Sequence, residues 1–187
     1  MPTIAALSCA ASLAATPALA CGFHGTIPHT TLDGMYPGSL SVAVALRKAA
    51  DAGVIDAAAL EIPRTGAALY IDAVARLHKL RKNLAASPRA SGLPASFSLG
   101  YVESGLWTRY AQSDGEIGVA VHVDGPDDGE AVVLTGEPVL TALLAGTLSM
   151  DDALAEGLVV IDANGSETAA IRKAFVAASA APRVSSR

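Results

Sequence analysis

The spacing of hydrophobic residues predicts two helices in the first half of the chain. One helix is predicted over residues 39–53, with Ser39 as its cap and Gly53 at its end. A longer helix is predicted over residues 67–85. The buried face of the first helix is predicted to carry Val42, Ala45, Leu46 and Ala49. The buried face of the second is predicted to carry Ala67, Tyr70, Ile71, Val74 and Leu77.

After the second helix the hydrophobic pattern changes from the helical period to an alternation, which is typical of strands. Four segments have this character: SFSLGYV, GLWTRYA, GVAVHVD and EAVVLT. The alternation places two sets of residues on strand faces: Phe97, Leu99 and Tyr101, and then Val119, Val121 and Val123. Turn residues such as Asp114-Gly115 separate the segments. The pattern therefore predicts four antiparallel strands in a meander.

Helical signals return after the fourth predicted strand. Pro138 suits a first helical turn, and Gly146 ends that helix. Ser149 and Asp152 have the spacing of a capping box, which starts a second short helix.

A fifth strand and a last helix complete the predicted elements. The segment LVVID is apolar almost throughout, so we expect a strand covered on both faces. Asn164 and Glu167 are predicted to cap the last helix, which buries Ile171, Ala174, Phe175 and Ala178. The order of elements predicts an α+β fold, with one five-stranded, mainly antiparallel sheet covered by helices.

The stretch over residues 132–175 carries a family resemblance. It reads VVLTGEPVLTALLAGTLSMDDALAEGLVVIDANGSETAAIRKAF. A strand is followed by the motif Leu143-Leu144-x-Gly146, then by Ala153 before Gly157, a second strand and a closing helix. This order of elements resembles that of the sterol carrier protein family, whose members are small lipid-binding α+β domains. The resemblance extends over residues 67–180, about two-thirds of the chain.

The resemblance implies a function and a set of binding residues. Members of the family enclose a hydrophobic tunnel between sheet and helices and bind sterols or fatty acyl chains. By that resemblance, an apolar small molecule or lipid is the expected partner, and its predicted lining is Phe97, Leu99, Val121, Leu143, Leu144 and Phe175. The alternative left open by the sequence is that these side chains simply fill the core.

Composition and charge narrow the function classes. The chain has 187 residues, of which 51% are hydrophobic, and a formal net charge of -5 without any basic tract. Nucleic-acid binding requires clustered Lys and Arg, so we expect no nucleic-acid partner. The sequence contains no Gly-x-Ser-x-Gly elbow and no phosphate-binding loop, and we predict a non-enzymatic protein.

The N-terminus predicts export. Residues 4–15 are apolar, Pro17 breaks the segment, and Ala18 and Ala20 form a small-x-small cleavage pattern. Residues 1–20 are therefore predicted to be a signal peptide of a periplasmic or secreted protein. No apolar run reaches the length of about 20 residues that a bilayer span needs, so we expect no transmembrane segment in the mature chain.

Cleavage would leave Cys21 first, three residues before His24 and eight before His29. A thiolate with two imidazoles suits copper or zinc. Three fates stay open for Cys21: acylation as a lipid anchor, metal binding, or neither. The alternative function is accordingly a periplasmic copper- or zinc-binding protein that uses Cys21, His24 and His29.

These signals divide the chain into four regions. They are a signal peptide over residues 1–20, a Cys/His segment with a helix over 21–65, a sterol-carrier-like domain over 66–180 and a tail over 181–187.

Overall fold

The structure, a computed structural model, describes residues 36–60 and 67–179. Cys21, His24, His29, the signal peptide, the tail and the predicted boundary at 65/66 lie outside these residues. The helices are α1 (Ser39–Asp51), α2 (Ala67–Ala86), α3 (Glu137–Ala145), α4 (Met150–Ala155) and α5 (Gly165–Ser179). The strands are β1 (Ser96–Tyr101), β2 (Leu106–Ser113), β3 (Glu116–Val123), β4 (Ala131–Thr135) and β5 (Val159–Asp162). The predicted α+β class is confirmed.

All five strands form one sheet in the order β3-β2-β1-β4-β5. Three of its pairings are antiparallel, as predicted, but β4 lies parallel to β1 with Ala131 opposite Phe97. The predicted meander is therefore wrong. After β3 the chain crosses to the far side of β1 instead of turning back beside β3. An alternating pattern indicates which residues are buried, but it does not identify the neighbouring strand.

The register divides the sheet into two faces. We call the side that carries Phe97, Leu99, Tyr101, Thr108 and Tyr110 the helix face, since helices pack on it. The opposite face carries Ser98, Gly100, Trp107 and Arg109.

Helices α2 and α5 cover the helix face through specific contacts. The Tyr110 hydroxyl donates to the Leu77 carbonyl of α2 at 3.1 Å. The ring of Phe97 stacks on Tyr110 with centroids 5.0 Å apart and meets Phe175 of α5 edge-on at 6.2 Å. The two helices are joined by Asn83, whose side-chain amide donates to the carbonyl of Ala178 at 2.8 Å.

Helix α1 shares this core. Val42 and Leu46 are fully buried, and Leu46 packs closely against the backbone at Gly136, the residue between β4 and α3. A Cβ added at Gly136 would lie 2.7 Å from the Leu46 Cδ1 atom. Of the residues predicted for its buried face, only Ala45 is half-buried.

The predicted buried face of α2 is correct at Leu77, which is 0% exposed, but is otherwise rotated from the observed one. Ile71 is 62% exposed, and Tyr70 and Val74 are half-buried. The side chain of Ala67 lies outside the description. The residues that face the sheet are Ala73, Leu77, Leu80 and Leu84. These positions are four, three and four residues apart, so the helical period holds and the buried side is centred on the leucines of the second half.

A bulge in β3 also departs from the predicted alternation. Val121 lies opposite Thr108, whereas Val123 lies opposite the preceding residue, Trp107. His122 is the extra residue between them and has a φ of 67°. Such an insertion moves the following side chain to the other face. Val123 therefore does not share a face with Val119 and Val121.

Most of the predicted caps and turns are confirmed. The Asn164 Oδ1 atom accepts from the backbone N–H of Ser166 at 3.1 Å and of Glu167 at 3.0 Å. The Ser149 hydroxyl accepts from the backbone N–H of Asp152 at 3.0 Å. Asp114 and Gly115 both have positive φ, as a two-residue hairpin turn requires.

Two local predictions are wrong. Ser39 is the first residue of α1, and the cap position belongs to Gly38, which has a φ of 91°. β5 is an edge strand with Val160 and Ile161 only half-buried, so it is not covered on both faces.

No helix in the described residues is long and apolar enough to cross a membrane.

Gly100 is the position where the sheet least tolerates a side chain. The Trp107 ring lies over it, and an added Cβ would be 2.8 Å from that ring. We expect Gly100→Ala to lower the free energy of unfolding by about 1–3 kcal/mol in urea titrations. Gly165→Ala is the control, because nothing lies within 4 Å of its added Cβ. Equal effects of the two substitutions would contradict this placement of Trp107.

Candidate ligand-binding site

The predicted lining residues lie on several elements around the helix face. Phe97, Leu99, Leu143 and Phe175 are buried, and Val121 and Leu144 are half-buried. The structure brings Phe97 and Phe175 into contact. Leu99 and Val121 lie in one row across the sheet, on either side of Thr108 of β2. Leu143 and Leu144 belong to α3, the helix that follows β4.

Two hydroxyl groups on the helix face were missed by the sequence analysis. Tyr101 is 1% exposed and Thr108 is 0% exposed. Within residues 36–60 and 67–179, neither the Tyr101 Oη atom nor the Thr108 Oγ1 atom has a hydrogen-bond partner. We call these two groups the buried hydroxyl pair. A buried polar group without a partner is uncommon in folded proteins and requires a specific explanation.

The other buried hydroxyls of the helix face are satisfied. The Tyr110 hydroxyl donates to Leu77, as described above, and the Thr135 hydroxyl donates to the Leu158 carbonyl at 3.0 Å. A tyrosine and a threonine hydroxyl elsewhere on the helix face therefore each have a hydrogen-bond partner. The lack of partners is a local property of the surroundings of Tyr101 and Thr108.

The two members of the pair are close neighbours in the sheet. Tyr101 lies opposite Leu106, and Thr108 follows two residues later on the same face of β2. Residues in this diagonal relation have Cβ atoms about 7–8 Å apart or slightly less. Leu99 and Val121 flank Thr108 on the neighbouring strands. The pair therefore introduces polar atoms into an apolar row that includes two of the predicted lining residues.

Charged groups lie near the Tyr101 end of the pair. The Arg76 guanidinium of α2 forms an ion pair with the Glu137 carboxylate at the start of α3. The Glu103 carboxylate accepts from the backbone N–H of Glu137 at 2.9 Å.

These surroundings keep Tyr101 protonated. Burial raises the pKa of Tyr101 well above its usual value, and the charges of Glu137 and Glu103 raise it further against the smaller opposing effect of Arg76. Tyr101 is therefore a neutral hydroxyl that can donate a hydrogen bond.

A separate groove of about 590 Å³ lies on the opposite face. Its walls are residues 126–130 of the β3–β4 loop, Val132, Asp162, the start of α5 and Tyr36, whose hydroxyl donates to Asp162 at 2.6 Å. Burial, this hydrogen bond and the charge of Asp162 raise the pKa of Tyr36 to about 12.

The loop that borders this groove is held by a buried carboxylate. Glu130 accepts from Arg109 Nε at 3.1 Å, from the Ser98 hydroxyl at 2.8 Å and from the backbone N–H of Asp127 at 3.0 Å. Burial alone would raise the pKa of Glu130, but these hydrogen bonds, one from Ser96 and the charge of Arg109 outweigh it and lower the pKa. These contacts fix the crossing from β3 to β4.

The predicted metal ligands Cys21, His24 and His29 lie outside the described residues, so their site stays a prediction. In the part of the chain that the structure describes, no group of three or more His, Cys, Asp and Glu residues could hold a metal ion. His122 is exposed and its ring lies 6.4 Å from that of Tyr70.

Comparison with known proteins gives matches among solved structures. No protein-family model and no curated protein matches the chain. Sterol carrier protein 2 is 18% identical with a TM-score of 0.42, covering 57% of this chain and 95% of that one. Sterol carrier protein 2 like 2 from Aedes aegypti is 15% identical with a TM-score of 0.43, covering 56% of this chain and 97% of that one.

Another match is a stereoselective inverting sec-alkylsulfatase from Pseudomonas sp., which is 15% identical with a TM-score of 0.37. The match covers 48% of this chain and spans only 14% of the length of the sulfatase. Several of the matching structures are sterol carrier proteins or similar domains.

The buried hydroxyl pair generates a prediction about stability. In ligand-free protein, we expect Thr108→Val and Tyr101→Phe each to raise the free energy of unfolding by about 1 kcal/mol, because each removes a desolvated group without a partner. The matched controls Thr135→Val and Tyr110→Phe each break a buried hydrogen bond and should lower it by about 1 kcal/mol. Urea unfolding monitored by circular dichroism measures all four. A loss of stability in the first two variants would show that their hydroxyls are satisfied.

Proposed function

We propose that this protein binds an apolar small molecule or lipid between the helix face of its sheet and the covering helices, without catalysing a reaction. The buried hydroxyl pair is the single observation that carries this proposal. A layer that only filled space would gain stability from Phe and Val at these positions. Two buried hydroxyls without partners among the described residues, on a face whose other buried hydroxyls are bonded, fit a site that a bound molecule completes.

The position of the pair supports the same proposal. Thr108 lies between Leu99 and Val121, two residues that the family resemblance implies as ligand contacts. Small-molecule sites are mostly apolar, with a few polar groups that orient the ligand. The row formed by Leu99, Thr108 and Val121, with Tyr101 beside it, has this composition.

Export, a periplasmic or secreted location, a lipid anchor at Cys21 and the absence of a nucleic-acid partner are part of the proposal and rest on the sequence alone. The second candidate function, copper or zinc binding by Cys21, His24 and His29, rests on the chemistry of thiolate and imidazole ligands. Both candidates can hold for one protein, because they use different residues.

Ligand binding is tested with a pyrene-labelled long-chain alcohol. We expect fluorescence titration of the full chain to show saturable binding, and a hundredfold excess over Kd to stabilise the fold by about 2.7 kcal/mol. Val121→Phe places extra volume at the half-buried end of the row, so it should weaken binding about tenfold. Val176→Phe is the control, because Val176 is 43% exposed on α5. If the wild-type chain shows no saturable binding, the proposed function is wrong.

The N-terminal proposals are tested by intact mass after expression in a Gram-negative host. We expect a periplasmic product that lacks residues 1–20, and native mass spectrometry should show one bound copper or zinc ion. The double variant Cys21→Ala, His24→Ala should lose that ion while keeping the same thermal unfolding curve. A product that retains residues 1–20 would contradict export, and unchanged metal content in the double variant would contradict the metal site.

A further inference from the structure

The charge surroundings of the buried hydroxyl pair restrict the chemical class of a bound molecule. The pair offers two neutral hydroxyl groups, each of which can donate and accept a hydrogen bond. Tyr101 is 1% exposed and Thr108 is 0% exposed, so a polar group that reaches them leaves water behind. The cost of that transfer depends on whether the group carries a charge.

A neutral polar group can be satisfied at this position. An alcohol oxygen can accept a hydrogen bond from a buried hydroxyl and also donate one, and a carbonyl oxygen can accept one. Either group would also provide the partner that the Tyr101 and Thr108 hydroxyls lack among the described residues. Binding would then remove an existing desolvation cost from the protein instead of adding a new one.

A carboxylate cannot be satisfied in the same way. A buried anion needs a cation or several charged donors beside it. Near the Tyr101 end of the pair, the Arg76 guanidinium is already engaged in its ion pair with Glu137. The carboxylates of Glu137 and Glu103 also act on Tyr101. A carboxylate bound beside Tyr101 would therefore be repelled by the carboxylates of Glu137 and Glu103, with little water to screen the repulsion.

We infer that Tyr101 and Thr108 select a neutral amphiphile, an apolar molecule that carries a hydroxyl or carbonyl oxygen, and discriminate against a carboxylate of the same chain length. This inference rests on the proposed function and assigns a specificity to its site. Leu99 and Val121 contact the apolar part of the molecule, and the buried hydroxyl pair binds its oxygen.

The test compares three probes that share one hydrocarbon chain: hexadecanol, hexadecanoate and hexadecane. Each is tritiated, and its partition between the full-length protein and cyclodextrin is measured at about pH 8, where the carboxylate is ionised. The partition is corrected for the affinity of each probe for cyclodextrin. We expect hexadecanol to bind about tenfold more tightly than hexadecanoate and several-fold more tightly than hexadecane.

Two isosteric variants locate the discrimination. Tyr101→Phe and Thr108→Val should each weaken hexadecanol binding by about two- to tenfold, the usual effect of one neutral hydrogen bond, and should leave hexadecane binding unchanged. Tyr110→Phe and Thr135→Val are the controls, since their hydroxyls are bonded within the protein. They should leave the order of the three probes unchanged.

The outcomes separate this inference from the function on which it rests. Hexadecanoate binding as tightly as hexadecanol would overturn the inference and leave apolar binding intact. The same conclusion follows if Tyr101→Phe and Thr108→Val affect hexadecanol and hexadecane equally. If none of the three probes binds to the wild-type protein, the proposed function fails and the inference fails with it.

Discussion

The crossing from β3 to β4 is held by the buried carboxylate of Glu130. This side chain is 3% exposed and accepts hydrogen bonds from β1 through Ser98, from β2 through Arg109 and from the backbone of its own loop at Asp127. A carboxylate is costly to bury unless it is paired and fully hydrogen-bonded. Glu130 meets this condition through contacts to β1, β2 and the β3–β4 loop, which hold the crossing that leads to β4 beside β1. The row of residues on the helix face is set separately, by the antiparallel pairing of β2 with β1 and β3.

The two faces of the sheet handle buried polar atoms in different ways. On the opposite face, Glu130 and Arg109 form an ion pair, and serine and backbone groups supply the remaining hydrogen bonds. On the helix face, the Tyr110 and Thr135 hydroxyls are satisfied by backbone carbonyls, while those of Tyr101 and Thr108 have no partner among the described residues. The first arrangement explains how the fold is held. The second leaves two hydroxyls without partners among the described residues, and the proposed function gives them a role in ligand recognition.

Signals that depend on a few neighbouring residues could be predicted from the sequence. The Asn164 cap and the Asp114-Gly115 turn are examples, because their hydrogen bonds and dihedral angles are local. The partner of β4, the bulge at His122 and the orientation of α2 could not be predicted, because each depends on contacts between distant segments. The candidate site likewise could be predicted only in part. Its apolar members came from a family resemblance, whereas the unsatisfied state of Thr108 depends on what lies above it.

The energetic cost of the buried hydroxyl pair supports the proposed binding function. Each unsatisfied buried hydroxyl costs about 1–3 kcal/mol, whereas a domain of ordinary size is stable by only about 5–15 kcal/mol in total. A single substitution to Phe at residue 101, or to Val at residue 108, would remove one of these costs without changing the volume of the layer much. A core that only needed to be packed would gain from both changes. The presence of tyrosine and threonine is consistent with a trade of stability for binding, as is common where a site must accept a ligand.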